Sequence, residues 1–525
     1  MTSLLEQLQK TDNGSHITMS GVRMSWDEMW QMTVRGGGWV QHHGGVVACL
    51  MENTHEAAAV VVGALLVGGS AVSLPLPHRG QDLPEYIKNT VSSAVSSGAS
   101  YILCTQTMKA LFDPDVLVGV RVATFEEACT WGGAVSTTGG GKLIQYSSGS
   151  TGAPKGIPLT DAQLGANVEA IASHLGADIT VASWLPLSHD MGLVGITLTT
   201  WAAGGSATIT SPEKFATLPL SWIEALSNNR ATISAVPNFA LELVLRVWPR
   251  VRSQRYDLSA LRSLMIGGEV VRADTLRRFT AALSAHGMRE EALAPSYGMA
   301  EVGLAVSLGG VLSPWSVVGV STESIAEGTP TIVEGPRPGM RSGTFKDGIT
   351  EVVVSGETLN GYRVTADKDS TLLVEGPSLF DGYVGGPLRD GPHRTRDTGL
   401  VLENGGVAVL GRADDVIIVR GRNIHPEDIE TACVNLVRRG MIAAVADGVG
   451  GMVLIAEPLN GDAQQSAELI RQAATRVSGV AASSVVFVKR GTLEKTPSGK
   501  VRRRSLVGRM HNGELSVTSE HRFRK

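Results

Sequence analysis

Cysteine is scarce and scattered. Cys49, Cys104, Cys129 and Cys433 are the four in 525 residues, and no two form a Cys-x-x-Cys pair. That spacing argues against a disulfide scaffold and a clustered-thiolate zinc site, and it fits a reducing compartment. Neither sign of charge dominates. Lys plus Arg number 46 and Asp plus Glu 50, a formal net charge of −4. No basic surplus points to nucleic acid or to an anionic membrane surface as a partner. Long apolar runs are also missing. The most apolar stretch, Ala57 to Val67, is too short to cross a bilayer and is followed by Gly68-Gly69-Ser70, so it reads as a buried helix of an α/β core. The N-terminal residues contain no basic segment followed by an apolar one. A signal peptide is not expected, and a cytoplasmic location without membrane insertion is.

The length, 525 residues, predicts more than one domain. Glycine is abundant, 62 residues or about 12 % against a usual ~7 %, but it is dispersed rather than repeated. Many turns and close backbone approaches follow from it. Residues 1–310 alternate strand-like and helix-like runs. The apolar run 45–51 reads as a buried parallel strand, Thr54 caps the alanine-rich helix after it, and 70–77 closes a βαβ unit that ends in prolines. Residues 350–410 change to short strands between glycines and suggest a small β-rich unit. A compact α+β segment follows Gly411, with helices expected over 425–439 and 463–477 and a polar tail, His511 to Lys525, expected to fray.

One segment carries most of the chemistry. Tyr146 to Gly156 reads YSSGSTGAPKG. Glycines bring backbone N–H groups close to a ligand, Ser148, Ser150 and Thr151 add hydroxyl donors, and Lys155 adds a mobile cation, a combination suited to phosphate oxygens. It is not a Walker A loop, because Ala153-Pro154 separates Gly152 from Lys155. The string resembles the phosphate-binding loop of the adenylate-forming superfamily: acyl-CoA synthetases, luciferases and peptide-synthetase adenylation domains. That resemblance implies ATP plus a carboxylic acid giving acyl-AMP and pyrophosphate, followed by acyl transfer to a thiol.

The superfamily's other motifs follow in order. Ser296 to Glu301 resembles its tyrosine–glycine–x–x–glutamate signature, in which Tyr297 stacks on adenine, with Gly298 and Met299 beside it, and Glu301 holds Mg²⁺. An aromatic face suits a flat base, and a hard carboxylate suits Mg²⁺ bridging phosphate oxygens. Alone, a Tyr-Gly pair is usually a turn and a lone Glu a solvated group. Gly267-Gly268-Glu269 resembles the segment lining adenine. Asp397 aligns with the ribose-binding aspartate, Arg412 with an arginine at ribose or phosphate, and Asp414 with the interdomain hinge. Lys500, in Lys495-Thr496-Pro497-Ser498-Gly499-Lys500, resembles the adenylation lysine, a cation where charge grows in the transition state. The cofactor set implied is ATP and Mg²⁺. The phosphate contacts implied are Ser148, Gly149, Ser150, Thr151, Gly152 and Lys155.

The resemblance covers about residues 20–507 and implies a fold. A large α/β N-terminal domain, 1–411, of βαβ-type sheets with a small β-rich subdomain, precedes a small mobile α+β C-terminal domain, 412–525, that rotates between half-reactions. Within the superfamily, Trp184 to Gly195 (WLPLSHDMGLVG) is closest to the fatty acyl-AMP ligase branch. Residues 236–240, 271–276 and 420–423 point the same way. Residues 311–335 occupy the place of that branch's extra segment, which restrains the small domain and disfavours CoA. The acceptor implied is a carrier protein's phosphopantetheine, with CoA as the alternative. By the same resemblance His189 positions the carboxylate, and Trp184, Phe239, Met191 and Met299 wall a hydrophobic acyl pocket.

There are departures. Arg396 stands where the family usually has glycine, immediately before the ribose aspartate, and Asn423-Ile424-His425-Pro426 differs from the branch's histidine–tyrosine–proline. They leave open an acyl-CoA ligase proper, including one specialised for the thioesterification step. A non-catalytic nucleotide-binding homologue is disfavoured by the joint presence of Lys155, Glu301, Asp397, Arg412 and Lys500.

Overall fold

The computed structural model describes residues 2–10, 14–77, 82–113, 117–147, 155–250, 255–341, 345–419, 422–447, 451–459, 462–494, 501 and 503–523. Among these, no helix is long and apolar enough to cross a membrane.

The first sheet has six strands in the order Arg121–Thr124, Tyr101–Cys104, Val46–Leu50, Ser70–Leu74, Lys142–Ser147, Lys155–Thr160. All neighbours are parallel except the last pair. The expected βαβ unit is here. Thr54 accepts the Ala57 N–H and caps the helix His55–Leu66, which is buried along nearly its whole length and packs against the helix Trp26–His42. Burial on all sides explains why that helix shows no amphipathic stripe. The antiparallel pair Lys142–Ser147 and Lys155–Thr160 brings Ser147 opposite Lys155. The phosphate-loop motif therefore joins two paired strands, although residues 148–154 lie outside the described residues.

The second sheet is larger. Its parallel part runs Leu293–Gly298, Ser263–Ile266, Ile233–Val236, Thr180–Ser183, Ser206–Ile209, His16–Met19, with Val22–Ser25 antiparallel at the edge. Beyond Leu293–Gly298 the sheet continues antiparallel through Ala305–Leu308, Ile349–Thr358, Gly406–Arg412 and His393–Val401. The β-rich unit expected over 350–410 is thus hydrogen-bonded into the parallel sheet rather than standing apart. It also begins earlier. Residues 311–335 contribute the strand Ser316–Ser321, the short helix Thr322–Glu327 and the start of the strand Ile332–Pro338, and Ser316–Ser321 pairs with Ile349–Thr358.

From Ile417 onward the apolar side chains pack into two clusters of their own, separate from the main core. Their frame is a sheet of Val437–Ala446, Met452–Pro458, Ser484–Val488 and Val517–Arg522. Two expectations are corrected. The helix expected over 425–439 stops after Pro426–Ala432, and residues from Val437 form the first strand of this sheet. Its β-branched and small apolar residues continue into Ile442 to Val445, which pair with Val453 to Ala456, and that tertiary pairing outweighs the helix-like spacing upstream. The described part of the tail is not frayed either. Val517–Arg522 pairs antiparallel with Ser484–Val488, an edge strand whose alternating polar residues face water.

Candidate active site

Four adjacent parallel strands end side by side, and each delivers an expected site residue at its carboxyl edge. Trp184 follows Thr180–Ser183, Phe239 follows Ile233–Val236, Gly268 and Glu269 follow Ser263–Ile266, and Tyr297 to Met299 close Leu293–Gly298. The carboxyl edge of a parallel sheet is where α/β folds open a ligand crevice.

At the end of Thr180–Ser183, Trp184 is 4 % exposed and stacks flat on Phe215 at 3.9 Å, with Phe239 edge-on at 6.2 Å. The Phe239 N–H donates to Glu269 Oε1 at 2.5 Å, tying the end of one strand to the end of the next. Gly268 has φ +75°, and a Cβ placed there would sit 3.2 Å from the Met191 methyl. Glycine lets the chain turn left-handed and lets Met191 close on the backbone. Met299 packs at the margin of the same core.

His189-Asp190 opens an element that sequence periodicity does not reveal, a π-helix over Met191–Leu198. Asp190 caps it by accepting the Met191 N–H at 2.8 Å. The Thr197 and Thr199 hydroxyls donate to the carbonyls of Gly192 and Val194, each five residues back, at 3.0 and 2.8 Å. Those bonds stabilise the wide turn, a rare geometry that concentrates at functional sites. His189 is half-buried directly before it.

At the end of Leu293–Gly298, the Tyr297 hydroxyl donates to Asp397 Oδ2 at 2.8 Å, and Arg412 Nε lies 3.3 Å from Asp397 Oδ1. Asp397 and Arg412 are register partners on neighbouring strands. Burial, then the Asp397 charge, holds the Tyr297 phenol well above its ordinary value, so it remains a donor at any working pH. Each carboxylate oxygen of Asp397 has a second lone pair left for a ligand hydroxyl. Gly298 is explained by close approach: a Cβ there would lie 1.8 Å from the Leu304 carbonyl oxygen, which accepts the Met299 N–H at 2.7 Å. Any side chain would break the turn that carries Glu301.

Glu301 Oε1 accepts the Tyr383 hydroxyl at 2.8 Å, and the Lys155 ammonium sits 5.0 Å over the Tyr383 ring. Burial, then Glu301, pushes the Tyr383 phenol up. Burial lowers the nearby His393. Tyr383 escaped sequence reading: it sits in an aperiodic loop between Gly382 and Gly385-Gly386. Its one sequence signal is an aromatic among glycines. The structure therefore brings Lys155, Tyr383 and Glu301 into one line and Tyr297, Asp397 and Arg412 into another. Asp414 lies in the turn Ala413–Asp415, where Arg396 reaches it at 3.2 Å. Ser148, Gly149, Ser150, Thr151, Gly152 and Lys500 lie outside the described residues.

Asp397→Asn keeps the size of the side chain and removes the charge shared by Tyr297 and Arg412. On the ATP-dependent reaction proposed below, the expected result is an increase of about tenfold in KM for ATP, from the loss of one charge-assisted contact, in steady-state pyrophosphate release at varied ATP.

The same architecture occurs in a solved structure from a study of fatty acyl-adenylate ligases of E. coli and L. pneumophila, with a TM-score of 0.88 over 98 % of both chains at 24 % identity. The fold is thus that of the adenylate-forming enzymes. The profile of AMP-binding enzymes matches residues 4–384, and this chain belongs to that family. It is 28 % identical to a putative fatty-acid–CoA ligase of Mycobacterium leprae over 95 % of this chain and 94 % of that protein. It is 30 % identical to a medium-chain-fatty-acid–[acyl-carrier-protein] ligase of Moorena producens over 71 % of this chain and 68 % of that one.

Proposed function

We propose that the protein activates a hydrophobic carboxylic acid with ATP, forms acyl-AMP, and hands the acyl group to the phosphopantetheine thiol of a carrier protein. The observation that carries the reading is the convergence at one sheet edge of an apolar wall (Trp184, Phe239, Met191), a ribose-type acceptor (Asp397) and a carboxylate with a cation on one tyrosine (Glu301, Lys155, Tyr383). Residues 148–152 and Lys155 hold the ATP phosphates. His189, at the start of the π-helix, positions the substrate carboxylate. Glu301 supplies one hard oxygen to Mg²⁺, which takes its remaining ligands from phosphate and water. Such a site needs no cluster of protein ligands, and none of three or more is present among the described residues. Residues 412–525 form the mobile domain that brings Lys500 to the reacting carboxylate, with Asp414 at its hinge.

The choice of a carrier protein over CoA is supported by the segment 311–335. Its helix Thr322–Glu327 lies against the strand Arg422–Ile424 of the C-terminal part, and a Cβ on Gly328 would sit 2.8 Å from Asn423 Nδ2. Packing of that helix against the C-terminal strand, with no room for a side chain at Gly328, restrains rotation toward a CoA-accepting pose. The second reading is an acyl-CoA ligase, favoured by the M. leprae relative that aligns over 95 % of this chain. One assay separates them. The protein receives ATP, Mg²⁺ and hydrophobic acids with or without CoA, and acyl-AMP and acyl-CoA are quantified by mass spectrometry. Acyl-AMP accumulating regardless of CoA is expected. Acyl-CoA as the dominant product would replace the first reading by the second.

A further inference from the structure

The turn Ala413–Asp415 connects the last strand of the large sheet, Gly406–Arg412, to everything C-terminal of it. It carries two consecutive aspartates, and each is gripped by an arginine from a different side. Arg396, on the strand His393–Val401 of the large sheet, holds Asp414 at 3.2 Å. Arg503, on the helix Arg503–His511, holds Asp415 at 3.2 Å. The two grips are unequal. The side chains of Arg396 and Asp414 are 30 % and 32 % exposed, whereas Arg503 is 11 % exposed and also pairs with Glu427 and Glu430. Asp397, next to Arg396, is occupied by Arg412, so two neighbouring residues of one strand stitch the chain on either side of Ala413.

We propose that Arg396 is a positioning residue whose ion pair with Asp414 is the releasable stitch of the hinge. The turn stays with the C-terminal unit through Arg503, and rotation of that unit opens Arg396–Asp414 while Arg503–Asp415 survives. A partly exposed single ion pair opens at less cost than an arginine, 11 % exposed, held by three carboxylates. Arg396 thus sets how long the unit stays in the pose described here, and through that the partition between adenylation and acyl transfer. This rests on the mobile domain and two-step reaction proposed above, and the distance measurement tests the stitch separately from the chemistry.

The test uses the full chain. The four native cysteines are buried, so Val118→Cys and Leu469→Cys, both exposed positions, take a fluorophore pair for single-molecule distance measurement. Arg396→Gly and Asp414→Asn are each expected to raise the population of rotated molecules about 2–5-fold, the range for a pair this exposed. Arg396→Lys should retain most of the wild-type distribution. Raising salt should move wild type toward the Arg396→Gly distribution and leave that variant less affected. In half-reaction assays, the ratio of acyl-AMP formation to thiol transfer should shift by the same 2–5-fold while KM for ATP changes less than twofold. A merely structural arginine would move KM and Tm instead. Unchanged distances in both variants, or equal salt responses with and without Arg396, would overturn the stitch. If wild type makes no acyl-AMP but the distances still shift, the functional reading fails and the stitch stands.

Discussion

Lys500→Ala is expected to slow acyl-AMP formation by about 10²–10³-fold while leaving transfer from supplied acyl-AMP to a thiol within about threefold. The magnitude is that of removing one preorganised charge from a site where negative charge develops. The split between steps follows from the proposed two poses, of which the lysine serves only the first. Described residues on either side of the segment 495–500 are held by ion pairs. Before it, Arg509 holds Glu494 at 2.9 Å and the Thr492 carbonyl at 3.2 Å. After it, Arg503 is held by three carboxylates. Two arginines of one helix thus hold the residues on either side of it. Quenched single-turnover assays of each step, with mass-spectrometric detection, check both halves. Equal losses in both steps would remove Lys500 from its assigned role.

Arg503→Met is expected to destabilise the C-terminal part by about 3 kcal/mol, the low end for removing one member of a buried ion cluster. The shape is kept, but Asp415, Glu427 and Glu430 lose the cation between them. The pH dependence gives the sign. Burial pushes the Glu430 carboxyl up to about 7 from an ordinary 4.5, against the pull of Arg503. A folded value above the unfolded one means that the folded state binds more protons. This group's contribution is complete below about pH 4.5 and declines as pH rises toward 7. Without Arg503 the folded value rises further, so the variant's deficit should be largest at pH 8 and shrink toward pH 5. Urea unfolding at those two pH values measures it. A deficit that does not depend on pH would mean that packing, not charge, explains Arg503.

Gly268 and Gly298 were legible in the sequence because each sits at a tight turn, where residue type is dictated locally. Gly298 and Gly268 are required by a 1.8 Å approach and a left-handed turn, and such requirements leave fixed letters in a chain. The βαβ unit around Thr54 was legible for the same reason: a cap and a fully apolar run leave few alternatives. What stayed hidden depends on partners far away in sequence. Tyr383 gains its place from Glu301 and Lys155, 82 or more positions upstream. The strand Val437–Ala446 looks helical at its start until Met452–Pro458 is beside it. The π-helix arises from threonine hydroxyls reaching five residues back, a bond that hydropathy periodicity does not record. Arg396 stood out as a misfit, and its partner Asp414 emerged only when the two strands were paired.

The unbroken hydrogen bonding from the acyl-side strands to Asp397 has a consequence for recombination between relatives. Any junction placed between residues 293 and 401 puts hydrogen-bonded neighbours from different parents into one sheet, and every mismatch in register is then felt at both Tyr297 and Asp397. A junction after Asp415 separates that residue from Arg503. The seam at which a hybrid keeps all its ladders and its buried charge cluster intact lies at Arg412–Ala413, with the aspartate pair inherited from the same parent as the helix that holds it.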